Sequence, residues 1–248
     1  IDSVWVEWPD GNKQVYANID ANKTLNVSYK KTTIKNKPIL YRGVDKKLFS
    51  DATDQVNINY KHKENDFNDF EKESLLPHKM SILGPGMSVM DINSDGLDDF
   101  YIGGAKGYRG KMYVQGLNGT FKETNQELWE IDKNSEDLSS LFFDADADGD
   151  QDLYIVSGGY DFKVNSSLLQ DRLYLNNGKG IYTKSLNALP QMHTSGGTVS
   201  TADFDNDGDL DLFVGGRAVP GNYPKAPRSY LLKNTEGKFE DITELIAP

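Results

Sequence analysis

The chain has 248 residues and a formal net charge of −11, from 27 basic and 38 acidic side chains. This acidity argues against nucleic acid as a partner, and the absence of cysteine excludes disulfides and thiolate metal sites. No stretch is long and apolar enough to span a membrane, while frequent glycines and aromatics indicate a folded, turn-rich chain.

The start of the chain predicts a small β module. Residues 4–8, Val-Trp-Val-Glu-Trp, alternate as a strand does, and residues 9–11, Pro-Asp-Gly, predict a turn. Residues 14–19 and 25–29 predict two further strands. The lysine-rich stretch 30–37 predicts a solvated linker between this module and the rest of the chain.

A repeat organises most of the remaining sequence. Three acidic loops, at 91–99, 144–152 and 203–211, are each followed by an apolar run, a glycine pair and a second apolar run. The pattern predicts four short strands per unit, A to D, with strand A ending at the first Asp of the loop. A four-stranded unit of this length is typical of a propeller blade. The predicted blades span about 84–135, 136–192 and 193–248.

A glycine-bearing hairpin turn follows strand C in each unit. From the middle residue of the second apolar run, a glycine lies six positions on and an aromatic lies eight positions on. This constant offset predicts the same C–D hairpin in all three blades. The middle residues are Tyr113, Tyr174 and Leu231.

An earlier half-blade and a long connection precede the first full blade. Residues 38–53 resemble strands C and D of the third unit, and the polar residues 54–83 predict a connection with a short helix. Because propellers close with roughly four to eight blades, we expect missing blades from the parent chain or another copy. The predicted fold is all-β: a module plus linker over 1–34, then a partial β-propeller of about three and a half four-stranded blades over 35–248.

The three loops have side-chain oxygens at alternating positions, which is typical of calcium loops. Positions one, three, five and nine are Asp or Asn, and Gly at position six permits a turn that directs the carbonyl of position seven inward. Hard oxygens alone favour calcium over zinc or copper, and magnesium fits less well. The alternative, plain Asp-Gly turns, weakens with three in-phase copies. The predicted ligands of three Ca2+ sites are Asp91, Asn93, Asp95, Leu97 and Asp99; Asp144, Asp146, Asp148, Asp150 and Asp152; and Asp203, Asp205, Asp207, Asp209 and Asp211.

The residue at position twelve separates these loops from helix-flanked calcium switches. An EF-hand requires an acidic residue there, whereas the chain has Ile102, Ile155 and Val214 inside predicted strands. The ions are therefore expected to lock the A–B hairpins rather than to act as sensors. Asn93 makes the first loop less anionic, so we expect that loop to bind calcium more weakly.

The loop, followed by Tyr-Ile-Gly-Gly or Phe-Val-Gly-Gly, resembles the FG-GAP/VCBS repeats of integrin-α-type propellers over about residues 38–248. Residues 1–29 resemble the C-terminal half of the ASPIC/UnbV module, through the Val-Trp-Val-Glu-Trp-Pro-Asp-Gly motif at residues 4–11. The resemblance implies an extracellular or bacterial cell-surface protein with calcium sites and an adhesion or ligand-binding role. We expect its signal peptide to lie outside the present sequence.

The B–C connections differ most in length between the units and lie opposite the calcium loops. Together with one D–A connection they contain aromatic and arginine side chains that suit a protein or glycan ligand. The alternative, that these side chains pack on their own blades, stays open. The residues are Tyr108, Arg109, Trp129, Tyr160, Phe162, Arg217 and Tyr223.

Catalytic patterns are absent from the sequence. None of the histidines, His62, His78 and His193, has metal-ligand spacing, and Ser195 is not in a Gly-x-Ser-x-Gly motif. The leading hypothesis is therefore a non-catalytic binding or adhesion module with structural calcium. The runner-up is a polysaccharide-processing protein in which the propeller is a glycan-binding or catalytic part.

Overall fold

A computed structural model describes residues 2–30 and 49–247 of the chain. The chain divides into two compact units, Ile1–Asp51 and Ala52–Pro248. The predicted boundary between residues 34 and 35 falls outside the described residues, as does most of the predicted half-blade over 38–53. Its described part, residues 49–53, forms no strand. No helix in the described ranges is long and apolar enough to cross a bilayer.

The first unit contains an antiparallel hairpin of β1 (Ser3–Glu7) and β2 (Lys13–Ala17). The predicted turn joins them: the Trp8 N–H donates to the Asn12 carbonyl at 2.9 Å, and Gly11 takes a φ of 79°. A positive φ is available to glycine at little cost, which explains its place here. The first predicted strand and this turn are thus confirmed, and the second strand is shorter than predicted.

The third strand predicted for this unit, over residues 25–29, is wrong. The segment forms no strand, and its last residue contacts the hairpin through side chains. The Tyr29 ring meets Trp8 edge-on with centroids 5.4 Å apart, and its hydroxyl donates to Asp10 Oδ2 at 2.6 Å. This hydrogen bond lowers the pKa of Asp10, together with the Asn12 N–H. Side-chain contacts therefore replace the expected backbone ladder.

The second unit contains three four-stranded antiparallel sheets, each with its strands in chain order. They form the blades of a partial β-propeller, which confirms the predicted fold class, and the first strand of the middle blade packs against the first strands of both others. The strands are β3 (Met87–Met90), β4 (Asp99–Ile102), β5 (Lys111–Gln115) and β6 (Phe121–Thr124); β7 (Glu136–Phe143), β8 (Asp152–Gly158), β9 (Arg172–Leu175) and β10 (Thr183–Ser185); and β11 (Ser195–Ala202), β12 (Asp211–Ala218), β13 (Tyr230–Thr235) and β14 (Lys238–Asp241).

Short helices lie outside the sheets. The long connection contains α1 (Asp69–Lys72), where a helix was predicted, and the Asn68 side chain accepts from the Phe70 N–H at its start. Two more helices, α2 (Gln126–Ile131) and α3 (Thr243–Ile246), were not predicted. Segments of six and four residues are too short to show a helical period.

The hydrophobic cores lie between neighbouring blades. Tyr101, Trp129, Tyr174 and Tyr182 centre the core between the first and second blades. A second core joins the second and third blades. In this core Leu212 and Val214 face inward, while Phe213 between them faces away. The period-two alternation of β12 thus builds its interface with the preceding blade.

The glycine pairs after strand B let neighbouring blades approach closely. A Cβ atom at Gly158 would lie 2.9 Å from the Gly196 carbonyl oxygen of β11, and one at Gly103 would lie 2.6 Å from Asp137 Cβ of β7. Both distances are shorter than packed atoms allow. The first glycine of these two pairs is therefore required where strand B meets the first strand of the next blade.

A buried ion pair within the second blade holds a carboxylate that also bonds to the first blade. Arg172 Nη2 lies 2.5 Å from Asp137 Oδ1, and both side chains are about 5% exposed. The other carboxylate oxygen of Asp137 accepts from the Tyr101 hydroxyl and the Gly104 N–H, each at 2.9 Å. The carboxylate thus connects β9, β7 and the end of β4.

Two asparagines, here called the bridging asparagines, hydrogen-bond the second and third blades to the acidic loop of the preceding blade. Asn176 Nδ2 donates to the Ile92 carbonyl at 2.8 Å, and Asn234 Nδ2 donates to the Ala145 carbonyl at 2.8 Å. Each amide also donates at 3.1 Å to a loop carbonyl of its own blade. Ile92 and Ala145 occupy position two of their acidic loops, so strand C of one blade holds the preceding loop.

Replacing a bridging asparagine is expected to destabilise the protein. Asn234→Ala should lower the free energy of unfolding by about 2–3 kcal/mol, because two buried carbonyls lose their donor. Urea unfolding at saturating calcium measures this. Asn177→Ala is the control, since that side chain is exposed and accepts only from its own turn. Equal losses in the two variants would contradict the bridging role.

Candidate metal centres and ligand surface

Two of the three predicted calcium loops bring carboxylates together. In the second loop Asp144, Asp146 and Asp152 each place an oxygen within 4.8 Å of the others. The third loop does the same with the corresponding residues. These are positions one, three and nine, whereas the position-five carboxylates stand outside both groups. The third-loop group consists of Asp203, Asp205 and Asp211.

The aspartate at position nine fixes each loop to its blade. Asp152 is almost wholly buried, and its two oxygens accept from the Ala145 N–H at 2.9 Å and the Asn176 N–H at 2.8 Å. Asp99 and Asp211 repeat this pattern with their own loops and third strands. Position nine thus joins the loop to strand C and also faces the carboxylate cluster in the second and third loops.

The electrostatics of the second loop favour a bound cation. Burial raises the pKa of Asp152 to about 7, against the lowering effect of its two backbone hydrogen bonds. Burial also raises the pKa of Asp146, and Asp148 adds to that shift. Carboxylates that are buried near one another favour a proton or a metal ion over an uncompensated charge.

Unpartnered oxygens show that the second loop fits such an ion. Asp144 Oδ1 and Asp146 Oδ1 are buried without a hydrogen-bond partner. The other oxygen of Asp144 accepts from the Gly149 N–H at 3.0 Å, so the loop already curls around this side chain. A cluster of hard carboxylate oxygens with free lone pairs suits calcium.

The first loop is organised differently. The N–H groups of Gly96, Asn93 and Asp95 donate to Asp91 and lower its pKa, although burial works in the opposite direction. Asn93 Nδ2 donates to Asp95 Oδ2 at 3.1 Å. No three acidic side chains converge within residues 91–99 as they do in the other two loops. Weaker calcium binding by this loop stays a prediction.

A lysine partly neutralises the third loop. Lys233 Nζ pairs with Asp205 and lies 3.2 Å from Asp207 Oδ2. Hydrogen bonds to these two carboxylates raise the pKa of Lys233. The Asp209 N–H and then Lys233 lower the pKa of Asp207. The lysine was not predicted as part of the site, because it lies on β13, more than 20 residues beyond the loop.

Removing this lysine is expected to strengthen calcium binding to the third loop. Lys233→Gln should lower the calcium dissociation constant of that loop about three- to tenfold, since an ammonium no longer competes for the carboxylates. Calcium titration by calorimetry measures the change. Lys238→Gln, on the neighbouring strand, is the control. A weaker or unchanged third site in Lys233→Gln would refute the competition.

Two stretches of the chain, residues 91–155 and 144–214, match the model of the FG-GAP-like repeat family. Together they span half of the 248 residues. The chain belongs to the FG-GAP repeat proteins. Each matched FG-GAP repeat begins at the first Asp of an acidic loop and ends in strand B of the following blade. No curated protein matches the chain.

Three side chains predicted for a ligand surface are buried in this FG-GAP propeller. Trp129 is 2% exposed, and its indole N–H donates to the Thr124 carbonyl within the core between the first two blades. Tyr160 and Phe162 are 1% and 3% exposed, and Tyr160 packs with Met80 of the long connection. These three side chains therefore supply packing rather than an exposed surface.

The long connection lies across the B–C end of the FG-GAP blades. Lys72 Nζ donates to the Phe162 carbonyl at 3.3 Å, and Glu73 Oε1 accepts from the Tyr223 N–H at 2.9 Å. Lys63 places its ammonium 5.0 Å from the Tyr108 ring centroid. The sequence indicated a connection here but nothing about its path, because its contacts are made to blades distant in the chain.

The remaining predicted residues differ in accessibility. Arg109 is held by ion pairs with Glu123 and Glu130. Arg217 and Tyr223 are exposed and line a groove beside the third blade. An adjoining hollow of about 320 Å³ at the same end is lined by residues including Lys225, which also lines the first groove. The structure thus leaves the third-blade side of this end open.

Proposed function

We propose that this protein is a calcium-stabilised, non-catalytic FG-GAP module that binds a protein or glycan ligand outside the cell, in adhesion or a related role. The observation that supports it best is the convergence of Asp144, Asp146 and Asp152 around buried oxygens without partners. The third loop would hold a second ion and the first loop a third. Extracellular calcium-binding modules have dissociation constants of about 10⁻⁴–10⁻³ M, and partly exposed loops of this kind suit that range.

The ions act structurally in this proposal. They supply positive charge to loops whose position-nine aspartates already connect strands A, B and C. A calcium switch needs an element with two arrangements, and here the loops join antiparallel strands directly. Calcium therefore fastens each A–B hairpin to its blade.

Calcium counting tests the proposal. Protein stripped with chelator should bind calcium on titration, and Asp146→Asn and Asp205→Asn should each lose one ion. Asp98→Asn is the matched control, because this exposed loop residue is at position eight. Full stoichiometry in both loop variants, or no binding at millimolar calcium, would overturn the proposal.

The ligand is proposed to bind at the groove beside the third blade. An exposed aromatic next to a guanidinium suits stacking on a sugar or anchoring of a peptide, and Tyr223 and Arg217 supply this pair. Glycan arrays and candidate-protein binding assays identify the ligand. Tyr223→Ala should then weaken binding at least about tenfold, whereas Leu117→Ala, exposed at the calcium end, should not. Hydrolysis of a bound glycan would contradict the non-catalytic role.

Further blades are proposed to cover the open flanks, from the parent chain or another copy. Met87 and Val89 on β3 and Phe213 on β12 expose apolar side chains on these flanks. Association that rises with concentration and is lost in Phe213→Asp would favour a second copy.

We also propose that the hairpin around Trp8 and Asp10 is the C-terminal part of an ASPIC/UnbV module, and its turn sequence supports this.

A further inference from the structure

The groove beside the third blade differs in charge from the rest of the chain. The protein as a whole carries a formal net charge of −11, which repels anions at long range. The groove and the adjoining hollow are nevertheless lined by Arg217, Lys225 and Arg228, and no acidic side chain of the described ranges lines either of them. We call Arg217 and Lys225 the groove cations.

The groove cations have no ion-pair partner in the described part of the chain. The other arginines there, Arg109, Arg172 and Arg228, each pair with a carboxylate. Arg217 and Lys225 are exposed, and neither side chain makes an ion pair or a hydrogen bond with any residue that the structure describes. In a chain with 38 acidic side chains, this leaves two positive charges available to an anion from outside.

The Arg217 side chain is held in place by its own blade. A Cβ atom at Gly197 of β11 would lie 3.0 Å from Arg217 Cβ and 3.3 Å from its Cδ, so the aliphatic stem packs against the glycine backbone. Arg217 lies near the end of β12, which pairs with both β11 and β13. A stem supported in this way loses less conformational entropy when its guanidinium binds a ligand.

The connection that carries Lys225 is also ordered. The Asn222 N–H donates to the Val219 carbonyl at 3.0 Å, and the Lys225 N–H donates to the Asn222 carbonyl at 2.8 Å. Three prolines within residues 220–227 restrict the backbone further. Two consecutive turns therefore present the Tyr223 ring and Lys225 on a preformed surface, as ligand sites usually do.

The adjoining hollow offers hydrogen-bonding groups that suit sugar hydroxyls. Asn165, His193 and Thr194 line it. The Asn165 amide has no partner among the described residues, and the bond that His193 makes to a side chain there uses Nδ1, with Gln191 at 3.2 Å. The exposed Tyr223 ring of the groove supplies an aromatic face on which a sugar ring can lie.

An extended peptide fits this groove less well than a sugar. Such peptides gain affinity by adding a strand to an open sheet edge. The strand whose end carries Arg217 is hydrogen-bonded on both sides. Most of the other lining residues belong to connections between strands, so the groove offers side chains rather than a backbone ladder.

A hollow at the outer strand of the second blade lacks this excess of positive charge. It has a volume of about 400 Å³ and is lined by Arg172 and Lys184 together with Asp132 and Asp171. Lys184 Nζ lies 2.7 Å from Asp132 Oδ1, so the two charges compensate each other. An anionic ligand is therefore expected at the third blade and not at this hollow.

We propose that the ligand of the third-blade groove is an acidic glycan, with a sugar carboxylate bound by the groove cations and a sugar ring on Tyr223. The assignment rests on the ligand role proposed above and narrows it to one class of ligand. The Arg217 guanidinium presents a planar fork that matches a carboxylate, and the Lys225 ammonium adds a point charge. The acidity of the remaining chain disfavours binding of the same glycan elsewhere.

A glycan array with uronic-acid, sulfated and neutral oligosaccharides tests the class of ligand, in buffer with constant calcium. The bound glycans should carry carboxylates. Reduction of the carboxylate to a hydroxymethyl group should weaken binding at least about tenfold, because the charge-assisted hydrogen bonds are lost. Added salt should weaken binding of the acidic glycan as well.

Variants of the groove cations test the assigned residues. Arg217→Gln and Lys225→Gln should each weaken binding of the acidic glycan at least about fivefold, and the double variant should no longer distinguish it from its reduced form. Both side chains are exposed, so an unchanged melting temperature is expected. Lys179→Gln is the matched control, because it removes one exposed positive charge at the calcium end. Unchanged affinity in the double variant would overturn the proposal.

The outcomes also separate the acidic glycan from the broader ligand role. A neutral glycan, a sulfated glycan alone or a protein that binds through Tyr223 but not through Arg217 would refute the sugar carboxylate and keep the ligand role. If no glycan or candidate protein shows binding that Tyr223→Ala weakens, both are refuted.

Discussion

Chelation of calcium is expected to lower the melting temperature of this protein by about 10–20 °C. An ion bound only by the folded state at about 100 times its dissociation constant adds about 2.7 kcal/mol. Two such loops add about twice that, and 1 kcal/mol shifts the melting temperature of a chain of this size by about 2–4 °C. Scanning calorimetry with calcium and with chelator measures the difference.

The source of the shift is the repulsion within the second and third loops. Their clustered carboxylates, including Asp146 and Asp205, lose their compensating charge when the ion leaves. In the double variant Asp146→Asn/Asp205→Asn the chelator should therefore lower the melting temperature much less, by no more than the first loop contributes. Magnesium at the same concentration should restore little of the stability. An identical melting temperature with and without chelator in the unchanged protein would rule out structural calcium.

Breaking the buried ion pair of Arg172 with Asp137 is also expected to destabilise the protein strongly. Arg172→Met should lower the free energy of unfolding by about 3–5 kcal/mol, because it leaves the Asp137 charge buried without its partner. The hydrogen bonds from Tyr101 and Gly104 stay but do not neutralise that charge. Urea unfolding in saturating calcium gives the value.

An exposed ion pair supplies the comparison. Arg228 lies 2.8 Å from Asp241 but is 43% exposed, so Arg228→Met should cost about 0–1 kcal/mol. Adding Asp137→Asn to Arg172→Met should recover part of the lost stability, because the orphaned charge is then removed. A loss in Arg172→Met no larger than that in Arg228→Met would show that the buried pair does not support the interface.

The blades could be predicted because their signals are local and repeated. Each acidic loop ends one strand and begins the next, so the positions of β3 and β4 follow from a single motif. The predicted position of the C–D hairpin was wrong by one residue in the third blade. Tyr113 and Tyr174 pair with Phe100 and Leu153, but the corresponding residue of the third blade is Leu232. The prediction of Leu231 there is wrong, since this hairpin is one residue shorter.

Contacts between distant segments could not be predicted. Trp129 looked like a loop aromatic, because nothing in its neighbourhood shows that Tyr101 and Tyr174 enclose it. The hydrogen bonds that Asp137 of the second blade accepts from Tyr101 and Gly104 of the first blade likewise join segments distant in the chain. A strand pattern gives the face on which a residue lies but not the residue that meets it. The sites within one loop were therefore predictable, and those between blades were not.

The bridging asparagines also provide a criterion for recognising a neighbouring blade. Each asparagine follows or lies in strand C and reaches back to position two of the preceding loop. Among the residues that the structure describes, no asparagine donates to the corresponding carbonyl of the third loop, that of Phe204. A blade that docks there should carry asparagine at the place of Asn234. The first blade has Gln115 at that place, so a blade docked on that side would be joined by other contacts. The flank of the third blade therefore presents a carbonyl that an asparagine would bind, whereas the flank of the first blade lacks that asparagine.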